Sequence, residues 1–479
     1  MTHMMEQPMG SCPLTRENLK RTDSGDAFLA GKWPGEKVCK CSPAASLAGT
    51  SKKVDSVDMK AGEDVTAVQM GDTVLLGCRP QSLVQLSDLR HHLSKFSKCR
   101  ATKVSIDLNG AILSGGCLRS SIHLSPLTIK NGALDVDEIN SIKNLILEQI
   151  QIQDREQPMK IVGSSVKFVG CGVSGSGSLV LSKGSEVTMK RCDIRGGLRD
   201  GVVVADAGTT LHAKRCLFSK CKRMGVLIVN GGCGYLTECE VSNSRECDGV
   251  RVKDPGSRLE AKTCVFQRNF AAGVLACNGG RIDLVKCQLT ESRQLSGAEL
   301  HDKGTRGNFR DCDFSYNHES GVIVHSGGRA KLLGCSCEMS VDRCGLEVVG
   351  KGSQVEAGEC TFADNKLMGV RAVGSSSVTL QDCRLEGSIR GLEVADRGSM
   401  GTIVRCLIRS IGGVGVAAEK EALMSLRDCE IRGAKPKPGR DLEVRGGGTE
   451  VWLTRVNSKK GLNRKKLDLF VEPGGRVIS

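Results

Sequence analysis

The chain has 479 residues, 59 of them glycine and 24 cysteine, and only 3% are aromatic. Its formal net charge of +14 favours acidic partners, whereas the shortage of aromatic rings argues against stacking surfaces for single-stranded nucleic acid. The start of the chain has no apolar core of a secretory signal, and nowhere do 18 apolar residues run together, which predicts no membrane span and a cytoplasmic or nuclear location.

The first part of the chain differs in composition from the rest. Residues 1–62 are rich in Lys, Ser, Gly, Pro and Met and show no periodicity, so we expect a disordered N-terminal segment. Residues 63–170 are interpreted as irregular first coils of a longer structure that runs to residue 479. Within them, Ser82–Lys95 has helical spacing and is expected to cap an open end.

Two sets of residues recur with a period in the twenties. Twelve cysteines lie 21 to 25 residues apart, and eight glycines lie 24 apart. The cysteines are Cys171, Cys192, Cys216, Cys239, Cys264, Cys287, Cys312, Cys335, Cys360, Cys383, Cys406 and Cys429, and the glycines are Gly201, Gly225, Gly249, Gly273, Gly297, Gly321, Gly345 and Gly369. Such a period indicates one small unit repeated along an axis.

One period contains three short strands. In the period from Gly249, an alternating Gly-Val-Arg-Val is followed by a turn at Asp254-Pro255-Gly256, a second strand that reaches Cys264, and a third strand after it. Each strand meets its own copy one period later, and that pairing is parallel. A leucine-rich repeat is excluded by its Leu pattern and helical return. The fold class predicted is all-β, a right-handed parallel β-helix with about 24 residues per coil.

A longer period of 48 residues is superimposed on the first. Phe218, Phe266, Phe314 and Phe362 lie 48 apart, and smaller residues, such as Val241, occupy the intervening coils. We infer a duplicated two-coil unit whose large and small core residues alternate. The regular coils are expected over residues 171–434 and a basic C-terminal cap over residues 435–479.

The cysteine column is interpreted as core packing. Stacked cysteines on neighbouring parallel strands do not have the side-chain directions that a disulfide requires, and buried free cysteine behaves as a small hydrophobe. We therefore expect reduced, inward-facing thiols in a reducing compartment.

Two segments resemble a known family repeat. Cys264–Ala276 reads C-V-F-Q-R-N-F-A-A-G-V-L-A and Cys312–Val324 reads C-D-F-S-Y-N-H-E-S-G-V-I-V. Both resemble the parallel β-helix repeat of the pectin-lyase-like superfamily. The resemblance implies either a carbohydrate-active enzyme or a non-enzymatic binding module, such as those of β-helix F-box proteins and spindle-associated adaptor-binding proteins.

No sequence signature of an enzymatic branch is found. The N-T-D and R-I-K motifs of polygalacturonases and the D-P-H loop of uronan epimerases do not occur, and no F-box is recognisable. We therefore predict a non-enzymatic scaffold that binds a protein partner, with no cofactor. The alternative is a polysaccharide-active lyase or hydrolase, or a carbohydrate-binding module.

One group of surface positions has the residue types for chemistry. The outward position after the Gly-Val strand is occupied by Cys277, His301 and His325 on successive coils, and Glu299 is expected to face outward beside them. Cys beside His suggests an activated thiolate, and two His with a Cys suggest zinc. The competing interpretation is a solvated face of no special function, because the same position elsewhere holds Ala or Val.

The C-terminal end is strongly basic. Ten Lys or Arg and three Asp or Glu lie between residues 435 and 466. The residues predicted to bind a partner are Lys459, Lys460, Arg464, Lys465 and Lys466. We expect an acidic protein rather than nucleic acid as the partner, and a monomeric chain.

Overall fold

The computed structural model describes residues 65–70, 73–89, 103–119, 126–152, 157–175, 178–432, 440–460, 463–465 and 467–479. The predicted disordered segment, residues 1–62, lies outside these residues, and so does Lys466. Among the residues described, no helix is long and apolar enough to cross a membrane.

The chain forms an all-β parallel solenoid of about 15 turns, which confirms the predicted fold class. Most regular coils contribute one strand to each of three parallel sheets, and the coils at Cys312 and Cys335 contribute only isolated bridges, at Asp313 and Ser336, to the third. The strand Val250–Lys253, for example, pairs in parallel with Val226–Val229 on the preceding coil and with Val274–Cys277 on the following one. Because each strand pairs with its own copy, the period of the sequence becomes the repeat of the structure.

The strands fall into three sheets. The first sheet contains Met159–Val162, Leu179–Ser182, Val202–Ala205, Val226–Val229, Val250–Lys253, Val274–Cys277, Ala298–His301, Val322–His325, Cys344–Val349, Met368–Val373, Arg390–Ala395, Val414–Glu419, Arg440–Arg445 and Leu469–Val471. The second contains Thr73–Cys78, Lys103–Asp107, Ser165–Val169, Glu186–Lys190, Thr210–Lys214, Cys233–Thr237, Arg258–Lys262, Arg281–Val285, Arg306–Arg310, Arg329–Leu333, Gln354–Gly358, Ser377–Gln381, Met400–Val404, Leu423–Arg427, Glu450–Thr454 and Arg476–Ile478. The third contains Leu83–Gln85, Gly172–Ser174, Asp193–Arg195, Leu217–Ser219, Glu240–Ser242, Val265–Gln267, Gln288–Thr290, Thr361–Ala363, Arg384–Glu386, Leu407–Arg409 and Glu430–Arg432.

The first coils are continuous with the regular ones. The strand Val65–Met70 forms an antiparallel hairpin with Thr73–Cys78. The long strands Ile112–Arg119, Leu127–Asn140 and Leu145–Ile152 each bend from one sheet into the next. Part of the segment expected to be helical is instead a strand, Leu83–Gln85, because it pairs with the strand that begins at Ile112. Residues 86–89 are helical, and residues 90–95 lie outside the described part.

Left-handed backbone conformations form the turn between the first and second sheets. Asp206, Asp254 and Asp302 have φ values of 75°, 77° and 75°, and Asn230 and Asn278 have 52° and 50°. Asp and Asn tolerate this region better than other non-glycine residues. The turn is therefore explained by backbone chemistry, as the sequence pattern indicates.

The core follows the predicted double period. All twelve column cysteines are buried with free thiols. Phe218, Phe266 and Phe362 are fully buried and pair with the smaller Val241, Leu289 or Leu385 on adjacent coils. Large and small side chains therefore alternate along the axis, as close packing of the interior requires.

Buried asparagines follow the same 48-residue period at the third turn, the turn that leads from the third sheet back to the first. They are Asn269, Asn317 and Asn365. The amide of Asn317 donates to the carbonyl oxygen of Leu289 at 2.8 Å and accepts from the backbone N–H of Ser292 at 3.0 Å. Each asparagine thereby satisfies backbone groups of the preceding coil that would otherwise be buried without partners.

Candidate functional site

The histidines predicted from the sequence lie side by side on the outer surface of the first sheet. His301 pairs with His325 across neighbouring strands, and their ring centroids are 3.7 Å apart with the planes inclined by 38°. Cys277 belongs to the same column, since Lys253 pairs with Cys277 and Ala276 pairs with Leu300. The parallel register therefore brings the predicted residues together on successive coils.

Glu299 lies on the outer surface of the sheet, on the same side of its strand as His301, but it is only 5% exposed. The third turn covers it: one carboxylate oxygen accepts the backbone N–H of Ser296 at 3.3 Å. The other lies 3.0 Å from Nε2 of His301. This hydrogen bond fixes the orientation of the His301 ring beside His325.

The electrostatics of the column do not favour an activated thiolate. Burial raises the pKa of the Cys277 thiol, so that it is protonated near neutral pH. Burial, followed by the neighbouring His301, lowers the pKa of His325, which keeps that ring neutral. Within the described residues, no group of three His, Cys, Asp or Glu side chains is arranged to hold a metal ion.

A shallow pocket of 340 Å³ opens beside the histidines. Its apolar part is formed by Leu295, Ile323 and Val349, and its polar part is formed by His325, Arg343 and the carboxylates of Glu299, Glu319 and Glu347. Burial is the largest cause of the raised pKa of Glu319, and the nearby Glu299 and Glu347 contribute, against the opposing effect of Arg343. The pocket thus combines a carboxyl group whose pKa is raised with an imidazole whose pKa is lowered.

Buried glutamates recur along this surface on every second coil, and only Glu299 among them was predicted from the sequence as a site residue. Glu299, Glu347, Glu393 and Glu443 are each at most 6% exposed. Glu347 is bridged to the next coils by Arg371, whose guanidinium lies 2.8 Å from Glu347 and 3.3 Å from Glu393. These glutamates could have been found from their spacing of 48, 46 and 50 residues in the sequence, because this spacing matches the double period of the core.

The basic residues near the C-terminus lie on a short antiparallel hairpin. Strand Ser458–Lys460 pairs with Asn463–Lys465, and Lys459 is directly opposite Arg464. First-sheet and second-sheet strands continue beyond it to Ile478. The backbone therefore places four of the five predicted residues, Lys459, Lys460, Arg464 and Lys465, on one hairpin.

Exposed aliphatic side chains form a row along the third turns of four successive coils. This apolar row consists of Val341, Leu367, Ile389 and Ile411, which are 52%, 42%, 44% and 65% exposed. Backbone hydrogen bonds place these turns side by side, from Leu367 to Arg343, from Arg390 to Leu367 and from Ile411 to Ser388. The row has no periodic signal in the sequence, because its members vary in position relative to the glycine of each coil.

Comparisons with known proteins give a family and distant structural neighbours. The family model described as "Right handed beta helix region" matches residues 93–245, 248–400 and 296–460. The Azotobacter vinelandii mannuronan C-5 epimerase AlgE6 A-module is 12% identical to this chain. The match covers 79% of this chain and 91% of the module, with a TM-score of 0.32. The periplasmic alginate epimerase AlgG is 10% identical to this chain, and the match covers 81% of this chain and 85% of AlgG, with a TM-score of 0.28. The siphovirus 9NA tailspike receptor-binding domain is 11% identical to this chain, and the match covers 83% of this chain and 76% of the domain, with a TM-score of 0.28.

No curated protein matches the chain. The family model nevertheless covers well over half of it, and its three matched segments span the regular coils that the structure shows. The chain therefore belongs to the right-handed β-helix family.

Proposed function

We propose that this protein is a β-helix scaffold that binds a protein partner along the edge formed by its third turns. The observation that carries the proposal is the apolar row at Val341, Leu367, Ile389 and Ile411. Single exposed aliphatic residues are common on protein surfaces, but a contiguous group on successive coils is typical of an interaction site. Burying these side chains against a partner contributes about 25 cal/mol for each Å² of apolar surface removed from water.

The rigid core supports this role. Each coil is held to its neighbours by parallel backbone pairing and by a buried apolar interior, so the row is held in position before a partner arrives. A preformed surface loses little conformational entropy on binding. The third turns are short, which leaves the row open to a large partner.

The proposal is tested by placing a photo-crosslinking amino acid at Ile389 and, as a control, at Leu198, which is also exposed on a third turn but lies eight coils away. Crosslinking in extracts of the source cells should yield a distinct partner protein from the Ile389 position and not from Leu198. The partner is then purified and titrated against the wild type and a variant carrying Leu367→Lys, Ile389→Lys and Ile411→Lys. We expect at least a tenfold loss of affinity without a change in melting temperature.

Unchanged affinity of the triple variant would contradict the proposal. Crosslinking of Ile389 to a second copy of the chain would also contradict it, because the apolar row would then be a surface for self-association. Neither result can be attributed to unfolding of the variant, because the substituted side chains are exposed.

A second candidate function is a polysaccharide-active enzyme or carbohydrate-binding module, and the pocket at Glu319 favours it. A carboxyl group with a raised pKa is suited to general acid catalysis. The proposed scaffold predicts no cleavage and no retention of a panel of uronans and neutral glycans, with or without calcium. Turnover that is lost in a Glu319→Gln variant would establish the enzyme instead.

A further inference from the structure

Four arginines occupy the first position of the second-sheet strand on four successive coils. This arginine column consists of Arg258, Arg281, Arg306 and Arg329, which are paired in register from each coil to the next. Neighbouring parallel strands are about 4.8 Å apart, so four like charges lie close together. Like charges directly opposite each other destabilise a sheet unless they are neutralised.

The first two arginines are neutralised within the chain. Arg258 lies 2.9 Å from a carboxylate oxygen of Glu260 and 2.9 Å from one of Asp283. Arg281 also binds Asp283, through Nε at 2.9 Å and through Nη2 at 3.3 Å. In both strands an acidic residue stands two positions after the arginine.

The other two arginines lack such a partner. The residue two positions after Arg306 is Asn308, whose amide donates to Asp283. The residue two positions after Arg329 is Lys331, which binds Glu356 at 2.8 Å. Within the part of the chain that the structure describes, neither Arg306 nor Arg329 forms an ion pair, and both are exposed.

A surface pocket of 390 Å³ lies over these two arginines, and its wall includes Arg281, Asn308, Lys331 and Glu356. Four cations and the carboxylate of Glu356 line it. Lys331 is paired with Glu356 and Arg281 with Asp283, which lies outside the lining, so Arg306 and Arg329 contribute two positive charges without a partner among the described residues. None of the described residues that line it is aromatic. The pocket therefore offers guanidinium and ammonium donors to an anion but no surface for base stacking.

We infer that this pocket binds a phosphorylated serine or threonine side chain of the protein partner. A phosphate monoester carries close to two negative charges near pH 7 and has three strong acceptor oxygens, so one group can neutralise both arginines and accept from Lys331. A carboxylate carries a single charge and matches one guanidinium fork. The inference rests on the proposed function, because it supplies the chemistry by which the scaffold selects a partner.

The test uses the full chain, immobilised, and a peptide library with a central phosphoserine and randomised flanks. Matched libraries carry serine or glutamate at the centre. We expect the phosphoserine library to be retained at least tenfold better than either of the others, with retention that decreases as salt rises. The double variant Arg306→Gln with Arg329→Gln should lose this preference.

Two matched variants separate the pocket from general basic charge. Arg258→Gln removes an arginine of the same column that is already neutralised, so retention should stay at the wild-type level. Lys331→Glu places a carboxylate two positions after Arg329, as Asp283 stands after Arg281, and should abolish the preference while keeping every arginine. Melting temperatures close to that of the wild type establish that each variant is folded.

Equal retention of the phosphoserine and glutamate libraries, or unchanged retention by the double variant, would overturn the inference. Stronger binding of a single-stranded RNA oligonucleotide, lost in the double variant, would overturn it in favour of nucleic acid. These failures are distinguishable from failure of the proposed function, because crosslinking at Ile389 reports on the apolar row, which lies on the third turns and not on the second sheet.

Discussion

Gly273 lies so close to the backbone carbonyl oxygen of Gly297 on the next coil that a Cβ atom at residue 273 would be 2.7 Å from that oxygen. The same relation holds between Gly201 and Gly225, at 2.6 Å. None of these glycines has a left-handed φ, so the reason for glycine is the close approach of two backbones. This approach explains why the 24-residue period of the glycines is stricter than that of the cysteines.

We predict that Gly273→Ala destabilises the protein by about 1–3 kcal/mol, because a methyl group that meets a backbone oxygen forces the neighbouring coil to move. Gly447→Ala is the control, since a Cβ there would meet nothing within 4 Å. Urea unfolding should give a lower midpoint for the first variant and an almost unchanged midpoint for the second. Equal midpoints would show that the coils can separate without cost.

The cysteines are predicted to differ in reactivity according to their place in the coil. Column thiols such as Cys287, which is 1% exposed, should be alkylated by iodoacetamide at least about tenfold more slowly than the half-buried Cys233 and Cys277. Because burial raises the pKa of Cys277, its rate should still be increasing above pH 8.5, the usual value for a free thiol. Mass spectrometry of the labelled protein measures each site, and native disulfides among the column cysteines would contradict the inward, reduced column.

The fold could be predicted from the sequence because its determinants are periodic. Cysteine, glycine and phenylalanine recur at intervals that leave one way to pair the strands, and the structure confirms the coil length and the double period. The strand Leu83–Gln85 was missed because it has the spacing of a helix and becomes a strand only through its partner at Ile112. Long-range pairing of this kind has no local signal.

The candidate site could be predicted only in part. The register of the parallel sheet correctly brings His301 beside His325, since adjacent coils place equivalent residues together. The burial of Glu299 could not be foreseen, because it depends on how the third turn folds over the sheet. The apolar row and the unpaired arginines at Arg306 and Arg329 are likewise properties of neighbouring coils taken together, and no single repeat shows them.

His325 is predicted to make stability depend on pH. Its pKa in the folded state is lowered, so the folded protein binds this proton less tightly than the unfolded chain, whose value is about 6.5. Stability should therefore decrease as the pH falls through about 6.5 toward the folded-state pKa. The contribution of Glu319 to the pH dependence of stability has the opposite sign. Because its pKa is raised in the folded state, its protonation at lower pH stabilises the folded protein relative to the unfolded chain.

The measurement compares melting temperatures of the wild type and His325→Gln between about pH 7.5 and 5.5, in steps across the unfolded-state value. The variant should lose less stability than the wild type over this range, because it lacks the imidazole whose folded-state pKa is lowered. An NMR titration of the histidine ring protons should show one resonance, absent from His325→Gln, that titrates below the usual value. A His325 resonance that titrates above it would contradict the prediction.

The basic hairpin is predicted to contribute to binding through its charge. Replacing Lys459, Lys460, Arg464, Lys465 and Lys466 by Gln should weaken binding of an acidic partner. It should also reduce the salt dependence of the Kd, because salt screens ionic contacts and the variant has fewer of them. The melting temperature should change little, since the strands of the first and second sheets continue past this hairpin. If the residues serve only to keep the end of the solenoid soluble, the variant will instead bind normally but self-associate in sedimentation experiments. Salt-sensitive binding of RNA or DNA by the wild type, lost in the variant, would show that the partner is nucleic acid and that the preference for an acidic protein is wrong.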